Sequence, residues 1–161
     1  MSMAPNFLLA IARLLIGVTV NAGSMDQAVQ TGAPAQEHEM IAIAVPIVSL
    51  MDEGHFVETW KSVGPPITSK TDQAGWVAYL SALRSPLGAI KQRELKGFGF
   101  CKEMDGAVGE FAVVGFEAQF EHVSPIEEKI VFQKRAEKWE LVGYWLKKRI
   151  LTWGKDQPSP N

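Results

Sequence analysis

From Gly109 to Glu121 (GEFAVVGFEAQFE) the side chains alternate with a period of two, which places Ala112, Val114, Phe116, Ala118 and Phe120 on one side of a pleat. Phe111, Val113, Glu117 and Gln119 fall on the other side. Two more runs follow, Lys129 to Lys134 (KIVFQK) and Lys138 to Lys147 (KWELVGYWLK). The breaks between these runs are too short for a parallel return and predict antiparallel neighbours. Ala89 to Cys101 predicts a strand ahead of them, with a bend or bulge at Gly97 and Gly99 and a turn at Met104-Asp105-Gly106. In the last strand, strict alternation puts Trp139, Leu141 and Trp145 on one side and Val142, Tyr144 and Leu146 on the other. Both sides are apolar, so one of them faces something other than water.

Before the strands the period changes to that of a helix. Ile41, Ala44, Val45, Val48 and Met51 recur at helical spacing, widened by Ile47 and Leu50, and Pro46 predicts a kink or a late start. Gly54 closes this helix. His55 to Val63 predicts a second short helix with Phe56 and Trp60 on one face, stopped by Gly64-Pro65-Pro66. A third, capped near Ser69 to Thr71, carries Trp76, Val77, Leu80 and Leu83 and ends at Pro86 and Gly88. Three helices followed by four strands predict an α+β fold, the helices packed on one face of a curved four-stranded antiparallel sheet.

The N-terminal pattern is different again. Phe7 to Val20 is apolar except for Arg13, too short for a membrane-spanning helix, and Val20-Asn21-Ala22 offers a signal-peptidase site before Gly23. Residues 1–22 therefore read as a signal peptide, 23–38 as a linker, 39–151 as a single domain and 152–161 as a flexible tail. Periplasmic or secreted localisation follows; the alternative is a chain tethered to the membrane by residues 7–20.

Four short segments carry a resemblance. They are Leu50-Met51-Asp52-x-Gly54-x-Phe56-x-x-x-Trp60, Arg84-Ser85-Pro86-Leu87-Gly88, Gly109-Glu110-Phe111-x-Val113 and Lys138-Trp139-x-Leu141-x-Gly143-Tyr144. In this order and spacing the chain, from about Ile41 to Lys148, resembles the bacterial domain-of-unknown-function family 4019. That resemblance implies a small, usually exported protein similar in architecture to the cystatin-like and nuclear-transport-factor-2-like group. It implies no catalytic residue. The chain departs from the family pattern at Pro46 and in lacking basic residues before Arg13.

Composition narrows the chemistry. At 161 residues, 47% hydrophobic and 21% charged, the chain can build a core without disulfide or metal. A net charge of −2 with interleaved signs gives no reason to expect nucleic acid as a partner. The one cysteine, Cys101, cannot form an internal disulfide and reads as a buried, inert thiol. His38, His55 and His122 are scattered, so no metal site is expected, and no nucleophile elbow, phosphate loop or dinucleotide fingerprint points to a cofactor.

Folds of this group can enclose a cavity between sheet and helices, where an apolar wall raises the pKa of a carboxylate into a general base. Glu117 is the candidate base, with Arg93 on the neighbouring strand as its partner if it points inward. If it points outward, it forms a cross-strand ion pair. Trp60, Trp76, Phe116 and Tyr144 are the candidate pocket residues; Lys147-Lys148-Arg149 could mark a phosphate-binding edge, but three charges at a strand end more often just solubilise it. The reading is a non-catalytic module binding a small ligand or a protein, with a homodimer through the sheet covering its second apolar face. The alternative is a lyase- or isomerase-type enzyme built on Glu117.

Overall fold

The structure, a computed structural model, describes residues 32–148; the expected signal peptide and the tail from 152 lie outside the described residues. Helix α1 spans Pro34–Asp52. Proline suits the first helical position because its missing N–H would have no intrahelical partner there. Gln36 accepts the Ala33 N–H at 2.9 Å, so helix occupies 34–38, which the sequence pattern assigns to a linker. The helix runs through Pro46. Ala42, whose carbonyl loses its usual donor, is exposed together with Pro46, on the side of the helix where water can take the place of that donor. Turning this pair outward sets the buried stripe at Met40, Ala44, Ile47, Val48 and Met51. Val45, expected in the stripe, is 42% exposed as a result.

After α1 come α2 (Phe56–Thr59), which tightens into a 3₁₀ turn at Trp60–Ser62, α3 (Pro65–Thr68) and α4 (Gln73–Arg84). Among the described residues the expected three helices are thus corrected to four α-helical segments. Pro65 and Pro66 do not merely stop the preceding helix; they open one more turn, where neither needs an N–H partner. Asp72 caps α4 by accepting the Gly75 N–H at 2.8 Å. A 3₁₀ turn at Ser85–Leu87 leads into the sheet.

The sheet is antiparallel in the order β1-β2-β3-β4, with β1 Ile90–Met104, β2 Ala107–Phe120, β3 Ile126–Arg135 and β4 Lys138–Lys148. Asp105 and Gly106 both have positive φ (52° and 77°), the two-residue turn whose twist suits a hairpin. The β1–β2 register shifts between Leu95 and Gly97, the bulge expected from the glycine pattern.

A second shift corrects the reading of β4. Val131 pairs with Gly143 and Phe132 with Leu141, which leaves Val142 as an extra residue. The alternation restarts at that bulge, so Trp139, Leu141 and Tyr144 share one core cluster, with Leu146 packed against it. The same cluster holds Ala112, Val114 and Phe116 of β2, Ile130 and Phe132 of β3, and the buried stripes of α1 and α4. The helices thus cover the predicted apolar face at Ala112, Val114 and Phe116, while Ala118 and Phe120 pack with Leu87 and Ile126 in a second cluster. On the opposite face Phe111 and Val131 are also buried, at 5% and 1% exposure. The Trp145 ring lies there, within 3.3 Å of where a side chain on Gly143 would begin, and close to Val131.

Candidate functional site

The inner face of β3 reads Ile126, Glu128, Ile130, Phe132, so a carboxylate sits in a row of core residues. Glu128 has no exposed surface, and a buried charge is tolerable only when paired and hydrogen-bonded. Two arginines meet it. Arg84, the last residue of α4, continues the Trp76 and Leu80 stripe at steps of four and is 7% exposed. Arg93 comes from the inner face of β1, where it pairs with Ala118. Asp52, the last residue of α1, supplies a second carboxylate.

Arg84 Nη1 donates to Glu128 Oε1 at 3.0 Å and to the Tyr144 hydroxyl at 2.7 Å. Tyr144 in turn donates to Glu128 Oε1 at 2.6 Å. Arg93 Nε donates to Glu128 Oε2 at 2.6 Å, while its Nη2 reaches Asp52 Oδ1 at 2.8 Å. Arg93 Nη1 also bonds Asp52 Oδ2, and Arg84 Nη2 bonds Asp52 Oδ1. The guanidinium groups lie over the rings of Phe120 (Arg84, 5.0 Å) and Phe116 (Arg93, 5.9 Å), a favourable cation–π placement. Two cations and two anions cancel. One neutral network therefore joins the ends of both long helices to β1, β3 and β4.

Electrostatics keeps both arginines charged and the Tyr144 phenol protonated near neutral pH. Burial opposes the charge on Arg84, but Tyr144, Glu128 and Asp52 outweigh it and hold its pKa above the ordinary value. Burial likewise opposes the Arg93 charge, and its bonds to Asp52 and Glu128 again win. Burial first, then the neighbouring Glu128, pushes the Tyr144 phenol well up. Each carboxylate oxygen already accepts from a guanidinium, so the network clamps the elements that supply its members.

The candidates from sequence scatter. Glu117 lies on the outer face, 24% exposed, with Lys96 Nζ at 3.7 Å, so the outward orientation holds. Arg93, its proposed inward partner, serves Asp52 and Glu128 instead. Trp76 is in the core, stacked on Tyr79 and donating to Thr59 Oγ1 at 2.8 Å. Trp60 packs against the core margin, and Tyr144 is in the charge network. Of the four pocket candidates, Phe116 lines two open depressions. Lys147 and Lys148 are exposed, and Arg149 lies outside the described residues. Cys101 is half-buried, and burial raises its thiol pKa, which keeps it protonated.

Glu128 was missed because the predicted strand began at Lys129. Arg84 was missed because a charge at a helix end ordinarily reads as solvated. The available signal was spacing: a carboxylate two residues from Ile126 and Ile130, and an arginine four from Leu80. Three of the segments that carry the family resemblance each bring one member: Asp52, Arg84 and Tyr144.

Two open depressions flank this interior. One, of about 320 Å³, runs between α1 and β1 and is lined by Ile41, Val45, Val48, Ser49, Arg93, Leu95 and Phe116. The other, about 360 Å³, lies at the β1 bulge among Lys96, Gly115, Glu117, Glu127 and Lys129. Among the described residues no group of three or more His, Cys, Asp or Glu is placed to hold a metal, and no helix is long and apolar enough to cross a membrane. No curated protein and no solved structure matches the chain. Residues 43–144, more than half of the chain and the stretch that holds the whole charge network, match the family described as "Protein of unknown function (DUF4019)", and the chain belongs to that family.

Proposed function

We propose that this chain is a non-catalytic, protein-binding module of cystatin-like or nuclear-transport-factor-2-like architecture that acts after export. The observation that carries this reading is the groove between α1 and β1. Its rims are Val45 and Leu95, 42% and 39% exposed, and its floor is Phe116 and Arg93. A mostly apolar concave lining with a few fixed polar groups is the usual make-up of a recognition site. The interior where a catalytic cavity would lie is occupied by the Asp52–Arg84–Arg93–Glu128–Tyr144 network, whose carboxylates are engaged; this weighs against the lyase or isomerase alternative. Export is supported by the apolar run 7–20 and the small residues ahead of Gly23.

Native mass spectrometry of gently purified full-length chain tests the reading. A non-covalently associated mass is expected on the wild type and is expected to be lost from a V45E/L95E variant that keeps its fold. Retention of that mass by the variant, or a bare chain throughout the micromolar range, would overturn it.

A further inference from the structure

The two edges of the sheet are treated differently. At the β4 edge, Val63 forms a parallel bridge to Leu141 and the Gly64 N–H donates to the Leu141 carbonyl at 2.8 Å, so a loop covers that edge. β1, the longest strand at 15 residues, has β2 on one side and, among the described residues, no strand on the other. An edge strand of this length is a template for another strand. The α1–β1 groove opens beside this edge, with Leu95 on β1 and Val45 on α1 as its exposed apolar rims.

The charges around Leu95 indicate what would pair there. Glu94 and Lys96 flank it, both exposed (60% and 45%), and the two bond each other at 2.8 Å on the outer side of the sheet. Place a two-fold axis perpendicular to the sheet just outside the β1 edge, level with Leu95, and run a second β1 antiparallel to the first. Leu95 then meets Leu95 of the other copy. Glu94 of each copy stands opposite Lys96 of the other, so each ammonium, already beside Glu94 and Glu117 of its own copy, gains a carboxylate across the seam. This segment is therefore self-complementary, as a two-fold interface requires. The same axis keeps the helices of both copies on one side, so Val45 and Leu95 of each copy close the groove from both ends. The bulge between Leu95 and Gly97 bends β1 and keeps the paired stretch short, which blocks open-ended strand addition.

We propose that the occupant of the groove is a second copy of this chain, joined through the β1 edges about Leu95 into one continuous sheet. This rests on the binding-module reading and names its partner. The test is sedimentation velocity on the full-length wild type, on E94K, on K96E and on an equimolar mixture of the two variants. Both side chains are exposed, so each variant is expected to keep the wild-type circular dichroism and melting curve. The wild type is expected to dimerise at micromolar concentration. Either single variant sets like charges opposite each other twice and is expected to weaken association at least about tenfold. The mixture restores both opposite-sign pairs and is expected to recover association as a heterodimer. Wild-type-like association of either variant alone, or a mixture that stays monomeric, would overturn the proposal. A monomeric wild type would overturn it too; if that monomer carries another mass in the native spectrum, the binding-module reading survives, and if it carries none, both fail.

Discussion

Glu128 has no exposed surface and lies between two guanidinium groups and a phenol. A buried ion network adds little net stability over an apolar replacement, but removing one member strands its partners without water or counter-charge. Glu128→Ala should therefore lower unfolding stability by about 3–5 kcal/mol, read from urea denaturation. Tyr144→Phe leaves every charge paired and removes only a hydroxyl that bonds charged groups. It should cost less, about 1.5–3 kcal/mol. Equal losses in the two variants would mean that the network is not a charge-balanced unit. Only part of this site was legible at the residue scale. Arg93 can be singled out as the inward partner of a carboxylate, Glu117, but the carboxylates it meets are 35 and 41 positions away in sequence, and only the folded sheet brings them together.

At the scale of elements, the short helices depend on the long ones. α2 has four residues and cannot persist as an isolated helix. Its last residue, Thr59, is fully buried, and its hydroxyl donates to the Phe56 carbonyl at 2.7 Å and accepts from Trp76 Nε1 on α4 at 2.8 Å. Thr59→Val keeps the shape but leaves the indole N–H unsatisfied, which should cost about 1–3 kcal/mol. The loss should appear in hydrogen exchange first at 56–62, because α2 is held by that contact; uniform loss across the sheet would contradict this. Strands were easier to read than helices because their period of two is set by the backbone alone. The exception is β4. A bulge leaves no trace in a hydrophobic pattern, so strict alternation separates Trp139 and Leu141 from Tyr144, whereas the register at Val142 puts them together. The four-residue α3 was likewise hidden by its prolines, which signal a stop and a start equally.

At the scale of the whole molecule, Tyr79 and Tyr144 fasten α4 to the sheet. The Tyr79 hydroxyl donates to the Tyr144 carbonyl at 3.0 Å. Burial raises the Tyr79 phenol pKa, and burial with the nearby Glu128 raises that of Tyr144. An unfolded tyrosine ionises near pH 10, so above that pH the folded state holds phenol protons that the unfolded chain has released. The folded state then binds more protons, and stability must fall as pH rises. The contribution is fully present below about pH 10 and is lost above it, with a limiting slope of about 1.4 kcal/mol per pH unit for each phenol. Urea midpoints measured between pH 8 and 11.5 should fall steeply from pH 10 upward, and less steeply in Tyr79→Phe. An unchanged slope in that variant would remove Tyr79 from the account.

The sequence by itself determined the α+β class, the antiparallel order of four strands, the turn at Met104-Asp105-Gly106 and the buried apolar face Ala112 to Phe120. These follow from local periods and turn chemistry, which a few neighbouring residues specify. Tertiary structure alone decided that Glu117 faces outward, that Glu128 lies inside, and that Asp52, Arg84, Arg93 and Tyr144 converge on it. It also decided that Val45 and Leu95 border a groove beside an open strand edge. The physical reason is that each of these turns on which distant side chain shares a buried volume. Helix rotation, strand register and bulges set that sharing, and none of them is written in the pattern of any one segment.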